Sequence, residues 1–147
     1  MIQSLLADTK IIRVSNGAAA GTSAVTSSVV DMQGYQGICF IASLGTVVDA
    51  SVLTLTVNEN TANSTSSPTP VAVTGGATQA FTASTSSNTD LIVDVVRPKD
   101  RYVYCVLTRT AQNATVNAIY AILYKANTRP VTQTTNILAS ASSSPEA

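Results

Sequence analysis

Alternation with a period of two runs through most of this chain, and it restricts the fold more than any other feature of the sequence. In residues 50–58, A-S-V-L-T-L-T-V-N, Leu53, Leu55 and Val57 fall on one side while Thr54 and Thr56 break the other. Successive side chains of a strand point to opposite faces, so this pattern describes a strand with one dry face. Similar runs occupy 10–15, 23–32, 36–44, 90–97, 101–109 and 114–125, and Val, Ile, Thr and Tyr dominate them, as pleated surfaces prefer. The alanines of 114–125 invite a helical reading, because Ile119, Ile122 and Leu123 share a helical face. Thr115, Val116, Tyr120 and Tyr124 in the same run favour strand. Seven short strands joined by polar connections predict an all-β chain, an antiparallel β-sandwich of jelly-roll-like form. The spacing also predicts a hairpin joining 101–109 to 114–125 through T-A-Q-N.

A chain of 147 residues is most simply one domain, burying roughly 68–70% of its unfolded surface without metals or staples. The sandwich is expected over 23–125. Within it, 59–89 is a long Ser/Thr-rich connection, and one that long is expected to carry short strands of its own. V-A-V-T and Q-A-F-T-A-S, joined at Gly75-Gly76, are the candidates. Residues 1–22 read as an N-terminal arm or an exchanged edge strand, and 126–147 as an extended polar C-terminal tail. The tail cannot order itself alone, so something outside the domain or a neighbouring copy is expected to hold the ends. Fully extended, 128–147 would reach roughly 60–70 Å.

Charge is scarce. Asp, Glu, Lys and Arg make up 11% of the chain and cancel to zero, against a typical share of about 25%. A neutral surface rich in small hydroxyl side chains suits a protein that ends up packed against other proteins. It argues against nucleic acid as a partner, because neutralising phosphates needs a basic excess. The apolar runs are strand-sized, so no membrane partner is expected. The N-terminal M-I-Q-S-L-L-A-D-T-K has no basic region, so synthesis in a cytoplasm is expected.

The chain contains no histidine, which removes Ser-His and Cys-His nucleophiles and most transition-metal sites. Two cysteines are too few for a zinc site without histidine. Cys39 and Cys105 sit in apolar runs and read as buried free thiols, with a disulfide between adjacent strands as the alternative. Asp90 and Asp94 share a strand face about 13 Å apart, at ~3.3 Å per residue, too far for a glycosidase pair at ~5–9.5 Å. No catalytic residue, cofactor or metal is expected, and the chain is not expected to be an enzyme.

Seven of the chain's charges, Asp90, Asp94, Arg97, Lys99, Asp100, Arg101 and Arg109, crowd into residues 90–109. Asp94, Arg97, Lys99, Asp100 and Arg101 are expected either as a structural turn, with Asp94 pairing Arg101 across a hairpin, or as a docking patch. Tyr102 and Tyr104 share one strand face, as do Tyr120 and Tyr124. On the predicted hairpin the four form a cross-strand aromatic ladder, or alternatively a platform for sugars.

Three segments carry a resemblance: V-D-M-Q-G-Y-Q-G-I-C-F-I-A-S-L-G (30–45), D-V-V-R-P-K-D-R-Y-V (94–103) and R-P-V-T-Q (129–133). Together the chain resembles head decoration, or cement, proteins of tailed bacteriophages. These share a V-D-M-x-G-[YF]-x-G strand opening, an L-D-V-x-R-P-x-x-R-Y-V segment and a final x-P-V-T-Q. The resemblance spans most of 29–133; the Ser/Thr-rich 59–89 and the tail after Gln133 depart from it. It implies a structural virion protein on the capsid exterior, made in the host bacterial cytoplasm. It implies the phage major capsid protein as partner, with self-association as a homodimer or homotrimer, and no catalytic residues. The remaining readings are a head-tail connector or tail-tube subunit and a glycan-binding adsorption module.

Overall fold

The computed structural model describes residues 4–70, 78–80 and 87–134. Among these residues a single-turn helix, α1 (Leu5–Asp8), precedes eleven strands: β1 (Lys10–Ser15), β2 (Ala18–Gly21), β3 (Val25–Thr26), β4 (Val30–Asp31), β5 (Gly37–Val47), β6 (Val52–Asn60), β7 (Thr69–Pro70), β8 (Thr78–Ala80), β9 (Asp90–Val96), β10 (Tyr102–Thr110) and β11 (Ala114–Tyr124). One sheet has the order β1-β11-β5-β9 with β2 also on β11, and the other β3-β10-β6-β7 with β4 also on β10 and β8 also on β6. Every pairing is antiparallel. Grouping β1 with β2, β3 with β4 and β7 with β8 leaves eight positions in chain order. The two sheets then read 1-8-3-6 and 2-7-4-5, the interleaved order of a jelly roll. The expected antiparallel sandwich is therefore present, and its jelly-roll form follows from the strand order itself.

The core lies between the sheets. Ile38, Phe40, Ala42 and Leu44 of β5, Leu91, Val93 and Val95 of β9, and Ile119, Ala121 and Leu123 of β11 face Leu53, Leu55 and Val57 of β6 and Val103, Cys105 and Leu107 of β10. Burying one such side chain contributes about 1.5–3 kcal/mol. The alternation slips once in each central strand of the first sheet. Inward positions run 38, 40, 42, 44 and then 47 on β5, and 114, 116 and then 119 on β11, matching register shifts in their pairing. One extra residue on each strand produces this, so the two bulges compensate and both strands keep an apolar inner face.

Two expected features of the hairpin region change. β10 and β11 lie in different sheets, so T-A-Q-N is an arch across the sandwich and not a hairpin loop. β9 and β10 also lie in different sheets, so 97–101 is a second arch. The expected strand 23–32 divides into β3 and β4 for a local reason. Ser27 Oγ accepts from the Cys105 amide at 2.9 Å and donates to Ser28 O, replacing a ladder bond. Ser28 N then bonds Val14 O, reaching β1 in the other sheet.

The ends hold each other. β1, within the segment expected as an arm or exchanged strand, pairs with β11 of its own chain, as does β2. Gln133 locks 129–134 against the start of the chain: its side-chain amide donates to Leu6 O and Thr9 O, and its Oε1 accepts from Ile11 N. Val131 N bonds Ala7 O, and Arg129 pairs with Asp8 at 3.0 Å. For these residues, contacts within the chain take the place of the outside support that the polar composition suggested. Of the tail, 135–147 lies outside the described residues, as do V-A-V-T and Gly75-Gly76. β7 and β8 give the long connection two short strands on β6.

One end of the sandwich is closed by a buried cation. Arg109 continues the inward row of β10 and is 4% exposed. Its guanidinium donates to Ser23 O at 2.7 Å, Ala19 O at 2.8 Å and Ala114 O at 2.6 Å. It thereby fixes the β2–β3 connection against both sheets. Replacing it by methionine leaves three carbonyl oxygens without their donor. Arg109→Met is expected to lower stability by about 3 kcal/mol or more, since each buried unmade bond costs ~1–3 kcal/mol, read from the urea midpoint.

Candidate functional site

The charge-rich arch between β9 and β10 lies at the opposite end from Arg109, beside the turn between β4 and β5. That turn is built by its sequence. Tyr35 N bonds Met32 O at 3.0 Å, closing a four-residue reversal, and Gly34 supplies the φ of +87° that an L side chain resists. Asp31 accepts from Gln33 N at 2.9 Å, bending the chain at its start. The D-M-Q-G-Y string is thus a complete turn.

The two turns are joined by polar contacts. Arg101 grips Asp31 bidentately, Nε to Oδ1 at 2.8 Å and Nη2 to Oδ2 at 2.7 Å, and also donates to Gln33 Oε1. Met32 N bonds Arg101 O at 2.8 Å and Arg97 N bonds Gln36 O at 2.7 Å. Arg97 itself holds φ at +55°, uncommon for a residue with a side chain. From behind, the buried carboxylate of Glu59 accepts from Lys99 N at 2.7 Å and Asp100 N at 3.1 Å. Four side chains and two backbone bonds therefore set one rigid conformation of 97–101. Between the turns lies a cleft of about 510 Å³, with Met32, Tyr35 and Pro98 in its wall and Arg97, Lys99 and Arg101 around it.

This arrangement corrects the expected ion pair. Arg101 pairs with Asp31, while Asp94, on the outer face of β9, accepts from the Tyr124 hydroxyl at 2.7 Å. The reason is topological: because β9 and β10 belong to different sheets, Asp94 and Arg101 do not face each other across a hairpin. Glu59 and Asp31, both outside the charge-rich 90–109 segment, are the carboxylates that hold the arch.

The aromatic ladder is corrected for the same reason. Tyr102 and Tyr104 do share one face of β10, and Tyr120 and Tyr124 one face of β11, but these are the outer faces of opposite sheets. Each tyrosine has a separate structural task. Tyr104 is 3% exposed and donates to Thr65 O at 3.1 Å, pinning the 61–67 loop over β10. That loop is shaped from within by Asn60, whose amide bonds Ser64 O and Ser66 O. Tyr124 lies across Gly37, where an added Cβ would collide with its ring. Burial and the bond to Asp94 raise its hydroxyl pKa. The Tyr120 hydroxyl accepts from Arg13 at 2.9 Å, and the Arg101 guanidinium lies 5.2 Å from the Tyr102 ring centre. The four tyrosines therefore do not lie on one common face.

Both cysteines are free thiols. Cys105 lies on the inner face of the second sheet, and burial pushes its pKa up to about 11. Cys39 is on the outer face of the first sheet, opposite Asp94 in the β5–β9 ladder, and burial followed by the Asp94 charge raises its pKa. Among the described residues no group of three potential metal-ligating side chains occurs, and no helix is long and apolar enough to cross a membrane.

The arch separates two electrostatic effects that measurement can distinguish. The hydrogen bonds from Arg101 hold Asp31 below the usual carboxylate range. A lowered folded pKa stabilises above the unfolded value of about 3.9 and is lost as pH falls through the folded value. Arg101→Ala is expected to lower the urea midpoint slightly at pH 7 and to flatten its fall between about pH 5 and pH 2. Glu59→Ala strips two amides of a buried acceptor and is expected to cost about 2 kcal/mol or more at pH 7, by the same measurement.

No family model matches the chain, and no curated protein matches it. Among solved structures, one of infectious bursal disease virus, Gx strain, is similar at a TM-score of 0.49 and 11% identity, covering 79% of this chain and 32% of that one. Eiger TNF from S. frugiperda follows at 0.40 and 8%, covering 88% and 98%. The Gt strain of the same bursal disease virus gives 0.27 and 13%, covering 80% and 41%. This chain therefore spans about a third of the length of the first. All three scores fall below 0.5, so the fold assignment rests on the strand order described above.

Proposed function

We propose that this chain is a structural protein of a virion, binding the outside of an assembled tailed-phage head and reinforcing contacts between major capsid subunits. One observation carries the reading. The segments that bear the resemblance to head decoration proteins, 30–45 and 94–103, are distant in sequence yet interlock through Asp31–Arg101, Met32–Arg101 and Gln36–Arg97. The third, 129–133, supplies the glutamine that ties the C-terminal segment to α1 and β1. The shared motifs thus specify one rigid end and one closed terminus.

The surface chemistry suits the role. Burying unpaired ions costs several kcal/mol each, and a chain with zero net charge and 11% charged residues avoids most of that cost. Jelly rolls serve capsid and lectin domains alike, so the fold alone does not choose between them. The proposed action is mechanical and involves no catalytic step, cofactor, nucleic acid or membrane. Copies associate as dimers or trimers on the shell and bridge capsid subunits. Binding only to the closed shell stabilises it by linkage, a modest amount repeated over many copies.

Particles assembled without this chain are expected to release DNA at lower temperature than complete particles, and adding it back should restore retention. Equal robustness would remove the stabilising role. Densitometry of virion bands is expected to give hundreds of copies per particle, whereas six or twelve would assign the chain to the connector instead.

A further inference from the structure

We propose that the cleft between the β4–β5 turn and the β9–β10 arch docks an acidic segment of a partner protein, an apolar side chain flanked by carboxylates. With the proposed function, that partner is a capsid subunit, and the identification of the partner rests on that reading.

The argument begins with unspent charge. The ion pairs among the described residues are Arg101–Asp31 and Arg129–Asp8, so neither Arg97 nor Lys99 has a carboxylate partner there. Both are exposed at the rim of the cleft. Two of the three acids nearby are committed, and the third, Asp100, lines the same cleft and offsets one cation. Asp31 is held by Arg101, and Glu59 Oε2 accepts from the backbone of the arch from its buried side. In a chain with eight basic residues in all, placing two unpaired cations on one strained arch is a concentrated feature.

Part of the cleft wall is apolar, formed by Met32, Tyr35 and Pro98, with Gln33 and Gln36 completing it. Met32 is 5% exposed and belongs to the core, and Tyr35 packs against that core. An apolar anchor in a pocket ringed by charges is the arrangement from which interface hot spots are built. The volume of about 510 Å³ falls within the ~300–1,000 Å³ of sites that enclose a ligand group. The backbone is already fixed by Gln36, Met32 and Glu59, so binding orders little of the host and loses little entropy. A nucleic acid fits less well, because two cations offer a continuous run of phosphates few partners.

Two measurements test this. The first is cosedimentation with particles that lack the chain, comparing wild type, Arg97→Ala/Lys99→Ala and Gln112→Glu/Asn113→Asp. Both variants change the net charge by the same amount, and the second does so on the exposed β10–β11 arch at the far end. With urea midpoints unchanged, the first variant is expected to bind about tenfold more weakly and with a shallower salt dependence. The second should match wild type. Binding by the first variant equal to wild type overturns the docking site. If wild type itself fails to bind particles, the capsid reading falls while the second measurement still decides the site. There, the peptide Ac-Ser-Asp-Leu-Glu-Asp-Ser-amide, added to several millimolar, is expected to shift backbone amide resonances of Met32, Tyr35, Arg97 and Lys99. The Asn/Gln counterpart should not. No shift with the acidic peptide overturns the proposal, and the same shifts with a single-stranded oligonucleotide overturn a protein partner.

Discussion

Everything in this molecule depends on the dry layer between two sheets whose strands alternate along the chain. Passing from β4 to β5, from β5 to β6, and from β9 through β10 to β11, the backbone changes sheet each time. Apart from β7 on β6, neighbouring strands in a sheet are therefore distant in sequence, and their ladders form only when the whole sandwich closes. Phe40, Ile38, Leu44, Leu53, Leu55, Leu107, Ile119 and Leu123, all fully buried, supply the free energy that offsets ordering so many non-local segments.

That arrangement leaves two ends where arches cross and where backbone polar groups would be stranded in a dry layer. The chain solves each with a side chain of the inward row. On β10 the row Val103, Cys105, Leu107 ends in Arg109, which donates to three carbonyls. On β6 the row Leu53, Leu55, Val57 ends in Glu59, which accepts from two amides. Neither buried ion pairs with an opposite charge among the described residues. Each is neutralised by peptide dipoles, and no buried side-chain nitrogen or oxygen there lacks a partner. The Glu59 end is also the one that presents Arg97 and Lys99 outward, so the arch proposed for docking is one whose backbone the fold already fixes.

Much of this was legible in the sequence, and the omissions have identifiable causes. Period-two patterning located β1, β5, β6, β9, β10 and β11 to within a few residues. It missed β2, because A-A-A-G has no polar alternation, and it ran β3 and β4 together across Ser27. Arg109 and Glu59 carried a signal that went unused: each continues its strand's apolar phase by two residues, which marks a buried charge in need of partners. The Asp94–Arg101 pair and the tyrosine ladder failed together. Both assumed that consecutive strands are hydrogen-bonded neighbours, which holds roughly two-thirds of the time and fails here for β9–β10 and β10–β11.

What the sequence determined alone was local: which residues are extended, which side of each strand is dry, and where the chain turns, as Gly34 and the Asp31 side chain do in D-M-Q-G-Y. These follow from the geometry of a pleated backbone and the conformations open to glycine and aspartate, both properties of short segments. Which strand lies beside which was decided only by the tertiary structure. A strand's edge offers the same amide and carbonyl groups to any partner, and closing a common core selects among them. That selection gave Arg101 to Asp31, placed the tyrosines on opposite faces, and left Arg97 and Lys99 facing outward.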